Sequence, residues 1–260
     1  MTQQLLTAPP LVEAAAAVLL RLASAGEAMI IVGRDPGPAS ACLRDFPESV
    51  LIAPGITSRF AVADGLRIAG RRVVTVLDSR ITDLTLALDA DRPNVVLTTR
   101  AAHLAVARDA GFTVVQPGWP TDVEPLLRAA FDVAEPVLVR LHRRGVEVAP
   151  PLGAPRLGIH RVLWRGRDGL LVGAGPGVPA LVQVTAALAA RGVRVTSVEM
   201  HTIRRATGVD PVRTDSALLA GPVAVEDARQ LVPIPLRSNS PDQLADAVQA
   251  ALPRRPPTPN

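Results

Sequence analysis

The stretch GAGPGV, residues 173–178, has a spacing of glycines that is typical of a nucleotide-binding turn. It follows an apolar run and opens an Ala-rich run. Glu199 closes the next apolar run, where the G-x-G-x-x-G fingerprint has its ribose-binding acid. Val178 replaces the third glycine of that fingerprint. The stretch therefore indicates either a weakened dinucleotide site or a plain tight turn between a strand and a helix.

The histidines and the cysteine give no sign of a metal centre. His103, His142, His160 and His201 lack the spacing to one another that metal ligands require, so we expect surface or half-buried side chains and no metal site. Cys42 is the one cysteine, which excludes an internal disulfide. The sequence also contains neither a G-x-S-x-G nucleophile elbow nor a P-loop.

Apolar runs alternate with amphipathic runs along residues 1–148, a pattern typical of a parallel sheet with helices on both faces. Continuous apolar runs are what buried parallel strands require. We predict strands at AMIIVG, SVLIA, RRVVTVL, NVVLTT, FTVVQP and PVLVRL, and helices at residues 11–25, 58–70, 81–90, 101–111 and 121–134. The first unit is therefore predicted to be an α/β domain.

A proline-rich segment at residues 149–160 predicts a linker to a second α/β unit at residues 161–252. Residues 253–260 predict a disordered tail. In the second unit we expect strands at DGLLVG, VRVTSVEM, PVAVED and PIPLRSNS, and helices at residues 178–192, 210–221 and 241–252.

The composition argues against several functions. No apolar stretch approaches the ~20 residues of a membrane span, and the first residues lack the basic region of a secretory signal. The net charge of +4 comes from scattered arginines rather than from a basic patch. We therefore expect a cytoplasmic protein that binds neither membranes nor nucleic acid.

The order of several segments resembles the transketolase-like, thiamine-diphosphate-dependent enzymes. DFPESVLIAPGITSRFAVADGLRIAGRRVV resembles the family's strand ending in G-I-A-E-Q and the helix after it. FTVVQPGWPTDVEPLLRAAFDVAEPVLVRL is similar to the family's P-x-D-x-x-E helix start and P-V-x-x-R strand. Residues 158–210, with TIRRATGVD, and the run GPVAVED resemble its C-terminal domain.

This resemblance implies an α/β fold of two doubly wound domains with mainly parallel sheets. A pyrimidine-binding-like domain would span residues 1–148 and a transketolase C-terminal-like domain residues 161–252. The family's diphosphate-binding domain, with its G-D-G motif and metal-binding Asn, has no counterpart here. The resemblance therefore implies the β-type half of a split enzyme. An α-type partner subunit would anchor most of the thiamine diphosphate and Mg²⁺, in a heterotetramer with a second copy of this chain.

The family's Glu in G-I-A-E-Q bonds to N1′ of the cofactor's aminopyrimidine and promotes loss of its C2 proton. Depending on the residues used for anchoring, this Glu corresponds to Ile56, Thr57 or Ser58, and no register gives a carboxylate. We expect these residues to face the pyrimidine ring, with Leu77 and Ser79 nearby. Without the Glu, loss of the C2 proton would be slower by a factor of ~10²–10⁴.

Further departures from the family lie near the same site. The family's aromatic rings against the pyrimidine are missing from TVLDSRIT. Its G-x-D-G-x-T-H-Q loop is deleted between VVLTTR and AAHLAVARDAG. Asp35 and Arg100 are the residues that we predict to contact substrate.

Three functions stay open on this basis. The first is an enzyme subunit that transfers a two-carbon ketol or acyl unit, as in secondary metabolism. The second is a catalytically inactive structural or regulatory subunit that stabilises a partner. The third is a nucleotide-binding protein that uses the GAGPG loop. A neighbouring gene for a G-D-G-containing half would favour the first.

Overall fold

A computed structural model describes residues 10–77, 95–142, 153–204, 217–221, 231–236 and 240–252. Its seven helices are α1 Leu11–Ser24, α2 Ser40–Asp45, α3 Ile56–Ile68, α4 His103–Asp109, α5 Val123–Ala130, α6 Gly177–Ala190 and α7 Pro241–Ala251. The strands of these parts of the chain are β1 Met29–Val32, β2 Val50–Ile52, β3 Val73–Leu77, β4 Val95–Thr98, β5 Thr113–Val115, β6 Val137–Arg140, β7 Arg161–Trp164, β8 Gly169–Gly173, β9 Val195–Glu199, β10 Thr202–Ile203, β11 Ala217–Gly221 and β12 Val232–Pro235.

The first sheet has the strand order β10-β5-β6-β4-β3-β1-β2. Strands β1 to β6 are parallel to their neighbours, and only the short β10 is antiparallel, paired with β5. Strands β3, β4 and β6 are buried at every position. Burial on both faces explains why these strands read as continuous runs of Val, Leu and Thr rather than as alternating patterns.

The two faces of the first sheet build different cores because side chains alternate along each strand. Val95 and Leu97 lie in one cluster with α1, α2 and α5. Val96 lies in another, with Phe60 of α3 and Leu104 of α4. The first face is thus covered by helices of the N-terminal unit alone.

The second sheet has the order β12-β11-β8-β9-β7. Strands β12, β8 and β9 run in one direction, whereas β11 and β7 run in the other. Helices α6 and α7 pack beside each other on one face of this sheet. A serine cap fixes the start of α7, where Ser240 and Gln243 form a capping box.

The two units share a hydrophobic core. Val172 and Leu219 of the second sheet belong to the same cluster as Val96 and Leu138 of the first. Strand β10, from the segment predicted to form the second domain, completes the edge of the first sheet through Thr202 and Ile203. The unit at residues 161–252 is therefore anchored to the first by both backbone pairing and apolar contact.

The α/β fold class is confirmed: the first sheet is mainly parallel, as predicted, and the second is mixed, with β8 and β9 as its parallel pair. The helix predicted at residues 210–221 is wrong for Ala217–Gly221, which is β11. Alanine and leucine favour helices, but every residue of this run is buried, and β8 and β12 flank it in the sheet. Helix α2 was not predicted, because a helix of six residues is too short to show an amphipathic period. The predicted helix at residues 81–90, the predicted strand PVAVED and the tail lie outside the described residues.

Every helix that the structure describes falls short of the length and hydrophobicity that a membrane span requires.

Replacing Leu138 by Ala should lower the free energy of unfolding by about 2–5 kcal/mol, because it leaves a cavity in the core that both units share. Leu138 is fully buried. The control Leu51→Ala, on the exposed side of β2, should change it by less than about 1 kcal/mol. Urea unfolding followed by circular dichroism measures both. Equal losses in the two variants would contradict the shared core.

Candidate functional site

A cavity of about 300 Å³ lies at the carboxyl edge of the first sheet. After β1 the chain moves outward to β2 and then returns to β3 on the other side of β1, so the topological switch point lies between β1 and β3. Open parallel sheets bind ligands at such points. The cavity is lined by Val12, Asp35, Gly37, Pro38, Val76, Leu77, Leu97, Thr98, Thr99, Arg100 and Leu141.

Three of the residues proposed from the sequence come together in this cavity. Asp35 follows β1, Leu77 ends β3, and Arg100 follows β4. The carboxylate of Asp35 accepts a hydrogen bond from the Gly37 backbone N–H at 2.9 Å, which holds the loop after β1. The cavity thus combines an apolar floor with one anionic and one cationic side chain. Ser79, predicted to lie nearby, is outside the described residues.

The position of Arg100 is fixed by a small buried network. Thr98, the last residue of β4, is buried and accepts a hydrogen bond from the Arg100 backbone N–H at 3.1 Å. The same Thr98 Oγ1 shares a hydrogen bond with His103 Nδ1 at 2.7 Å, and His103 is fully buried at the start of α4. Sequence reasoning placed His103 on a helix but missed this contact, because it depends on where β4 ends.

Ile56, Thr57 and Ser58 do not line the cavity. They form the first turn of α3, where Ile56 packs against the core that the two units share. Thr57 and Ser58 are exposed, and the Ser58 hydroxyl donates to the carbonyl oxygen of Gly55 at 2.8 Å. The structure therefore separates the candidate positions of the lost Glu from the cavity that holds Asp35, Leu77 and Arg100.

The next residue, Arg59, is a buried cation that sequence reasoning missed. Its guanidinium donates to the carbonyl oxygens of Ala53 at 2.8 Å, Pro54 at 3.1 Å and Val76 at 3.2 Å. These bonds tie the turn before α3 to the end of β3. The sequence showed only an arginine in the first turn of a helix, where most arginines are solvated, and only the fold brings the carbonyl oxygens to it.

The GAGPG loop lies against the first unit. The Gly175 N–H donates to the Gln116 carbonyl oxygen at 3.2 Å, and Val178 packs on Trp119. Glu199 does end the following strand, as expected, but it is fully buried and accepts a hydrogen bond from Trp119 Nε1 at 3.3 Å. Because the GAGPG loop and Glu199 are already engaged in contacts within the chain, this geometry disfavours the nucleotide-binding alternative.

Two of the remaining histidines differ from the surface or half-buried positions that we expected, whereas His160 is exposed as expected. His142 and His201 are buried, like His103. Burial beside Arg161 lowers the pKa of His201 to about 4, so this imidazole is neutral at physiological pH. Within the described parts of the chain, no group of three or more His, Cys, Asp or Glu side chains is placed to hold a metal ion.

No family model and no curated protein sequence matches this chain. Solved structures do match it. A split-gene transketolase, solved as an inactive β4 tetramer, is 20% identical, with a TM-score of 0.66 over 81% of this chain and 78% of that one. A transketolase variant from Pichia stipitis is 16% identical, with a TM-score of 0.57 over 75% of this chain and 35% of that one. A transketolase from Campylobacter jejuni is 14% identical, with a TM-score of 0.62, and covers 75% of this chain and 36% of that one.

Sheet order and cavity position define an α/β protein with a cavity at the β1/β3 switch point. The structural matches make the fold transketolase-like. The chain spans about a third of the length of the two transketolases from Pichia stipitis and Campylobacter jejuni. At these identities the likeness establishes the fold, and the activity has to be argued from the site.

Replacing Arg59 by Met should lower the free energy of unfolding by about 2–4 kcal/mol, because buried carbonyl oxygens lose their donors. The control Arg71→Met removes an exposed arginine from the loop after α3 and should change it by at most about 0.5 kcal/mol. Urea midpoints with their slopes measure both variants. An Arg59→Met protein as stable as the control would show that the carbonyl contacts carry no stability.

Proposed function

We propose that this chain is the β-type subunit of a split transketolase-like enzyme that transfers a two-carbon ketol or acyl unit. An α-type partner would carry the diphosphate-binding domain and anchor thiamine diphosphate and Mg²⁺. The observation that carries the proposal is the cavity at the switch point, with Asp35 and Arg100 at its walls. The transketolase-like fold supports it. A heterotetramer with a second copy of the chain, in the cytoplasm, is part of this proposal.

The domain division goes with the proposed function. Residues 1–148 would form the pyrimidine-binding-like domain, residues 149–160 the linker, and residues 161–252 the C-terminal-like domain. The pyrimidine-binding-like domain holds the cavity, and the C-terminal-like domain supplies β10, which pairs with the edge of that domain's sheet. A β-type chain would need both domains, because β10 of the C-terminal-like domain fixes β5, the strand beside β6.

The described residues fit the binding and orientation of a small substrate. A cavity of about 300 Å³ is at the lower end of ligand pockets. Arg100 offers donors to an anionic or carbonyl oxygen, and Asp35 offers an acceptor to a hydroxyl group. When bound, thiamine diphosphate supplies the carbon nucleophile that carries the transferred unit.

The same residues do not supply the carboxylate that the family uses for proton transfer. Neither Ile56, Thr57 nor Ser58 is an acid, and Ile56 is committed to core packing. The exposed Thr57 and Ser58 leave one route open, since a cofactor held by the partner could approach them from outside the chain. We therefore place the cofactor contact at the interface between subunits.

The second candidate is a catalytically inactive subunit that stabilises its partner. The buried Arg59 favours it, because this guanidinium closes the turn where the family keeps a carboxylate. In this case the cavity and its side chains would serve no transfer reaction. The two candidates share the partner and differ in whether the turn before α3 meets a cofactor.

The outer face of β2 and α3 is the surface that we assign to the partner. Leu51 of β2 and Val62 and Ile68 of α3 are exposed there, and Ile68 is 80% exposed. Gly65 lies in the middle of α3, where glycine costs roughly 0.5–1 kcal/mol relative to alanine. A Cβ at Gly65 would meet no atom of this chain within 4 Å. Contacts within the chain do not require a glycine at this position. A helix of another subunit packed closely against α3 would require one.

Ile68→Asp should weaken capture of a co-expressed G-D-G-containing half about tenfold or more, because it places a charge in an apolar interface. The control Val232→Asp changes an equally apolar but less exposed residue of β12 and should leave capture unchanged. Pull-down and light scattering measure both. A monodisperse monomer that captures no such half would count heavily against the proposal.

Thr57→Glu or Ser58→Glu should speed C2 proton exchange of the cofactor bound to the complex, by up to ~10²–10⁴, because a carboxylate restores general acid–base help. Exchange is followed by NMR, with Thr57→Gln and Ser58→Gln as uncharged controls. Ile56→Glu should instead destabilise the chain, since it buries a carboxylate in the core.

The isolated chain should not bind thiamine diphosphate and Mg²⁺ in the micromolar range by calorimetry. If the Glu variants fold, assemble with the partner and leave exchange unchanged, the cofactor does not sit against this turn, and the inactive-subunit function takes its place.

A further inference from the structure

Two carboxylates and one guanidinium meet at the junction of the two units. Arg161, at the start of β7, lies 3.0 Å from Asp122 Oδ1 through Nη2 and 3.3 Å from Glu199 Oε2 through Nη1. Asp122 belongs to the turn before α5 of the first unit, and Glu199 ends β9 of the second. All three side chains are nearly inaccessible, with 11% of Arg161, 4% of Asp122 and none of Glu199 exposed.

The charges that face this cluster do not balance it when both acids are ionised. His201, on the segment after β9, is neutral because burial lowers its pKa to about 4. His160 precedes Arg161 in the chain and faces His201. From the first unit only neutral donors reach Glu199, namely the Trp119 indole N–H and the Gly118 backbone N–H. A single guanidinium is thus left for two buried carboxylates.

The packing around the acids leaves no room for relaxation. A Cβ at Gly118 would lie 2.6 Å from Val178 Cγ2 and 2.8 Å from Glu199 Oε1. Among the residues that the structure describes, no group forms a hydrogen bond with Glu199 Oε1 or Asp122 Oδ2, and both oxygens are buried. A buried, unpaired carboxylate oxygen costs free energy that a bound proton relieves.

We propose that Asp122, Arg161 and Glu199 form a one-proton site that makes the docking of the two units depend on pH. With the proton bound, the pair of acids and the guanidinium are neutral overall. Without it, the junction holds an excess negative charge between β9 and the turn before α5. Because Asp122 belongs to the first unit and Arg161 and Glu199 to the second, loss of the proton acts on the contact between the units.

The direction of the pH dependence follows from the acids. Burial, helped by the charge of Asp122 and opposed by Arg161, raises the pKa of Glu199 to about 7, and burial also raises the pKa of Asp122. The folded chain therefore holds a proton that the unfolded chain has released at the same pH. Stability from this site is fully present below about pH 4.5, the ordinary pKa of Glu, and is lost as the pH rises from there through about 7.

Trp119 offers a direct reporter, because its indole N–H contacts Glu199. The other tryptophan, Trp164, is 43% exposed on β7 and can be removed as Trp164→Phe. In the full chain with this change, the Trp119 emission should titrate with a midpoint near pH 7. Adding Glu199→Gln should abolish the titration, whereas adding Glu48→Gln, an exposed acid, should leave it in place.

Two further measurements on the full chain test the docking of the two units. The unfolding equilibrium constant should rise about tenfold between pH 6 and pH 8, and Glu199→Gln should remove that rise. Hydrogen exchange of the Gln116 amide, which donates to the His201 carbonyl oxygen at 2.8 Å, should lose protection over the same range after correction for intrinsic rates.

Asp122→Asn keeps the proposal testable if Glu199→Gln fails to fold. Without the charge of Asp122, Arg161 pairs with Glu199 alone and stabilises its ionised form. The midpoint of the Trp119 emission titration should therefore move to lower pH. An unchanged midpoint in Asp122→Asn would overturn the one-proton site. So would a titration that persists in Glu199→Gln, or an emission that does not change between pH 5 and pH 9.

Discussion

The antiparallel pairing of β10 with β5 is the contact on which the arrangement of both units depends. Two residues of the second unit, Thr202 and Ile203, occupy the edge of the first sheet. The pairing forces Met200 and Ile203 into the shared core and brings Glu199 against Trp119. Without it, one face of the second sheet would be exposed, because α6 and α7 cover only the opposite face. The junction is therefore a condition of the second unit's stability as well as of its position.

The same constraint separates two chemically different regions. The cavity with Asp35 and Arg100 lies within the first unit, where β1, β3 and β4 end. The first turn of α3 faces outward at Thr57 and Ser58, which are exposed beside the apolar face of β2 and α3. Arg59 connects the two regions through its bond to the Val76 carbonyl oxygen, since Val76 also lines the cavity. A partner that covers the turn would thus act on the cavity wall through β3.

The sequence predicts those elements whose stability is local or whose burial is uniform. The runs AMIIVG and NVVLTT are apolar throughout because both faces of β1 and β4 are covered, and α1 is rich in Ala and Leu. Strand β11 is an exception, because its Ala and Leu residues favour a helix. Its pairing with β8 and β12 makes it a strand instead. Strand β10 has two residues and no periodicity at all. Its existence depends on a partner strand about ninety residues earlier.

The residues of the candidate site differ in the same way, between those whose position is set locally and those whose position is set by distant partners. Asp35 and Arg100 could be placed after strand ends from the sequence, and both line the cavity. The partners of Arg59 and Glu199 could not be predicted, because they come from distant parts of the chain. The three positions proposed for the family's carboxylate lie one to three residues before Arg59, and two of them, Thr57 and Ser58, are open to water in the free chain. An acid placed at Thr57 or Ser58 would keep an ordinary pKa there and would hold a proton at neutral pH only after a partner buried it. Proton transfer at this turn is thus a property that only the assembled protein can have.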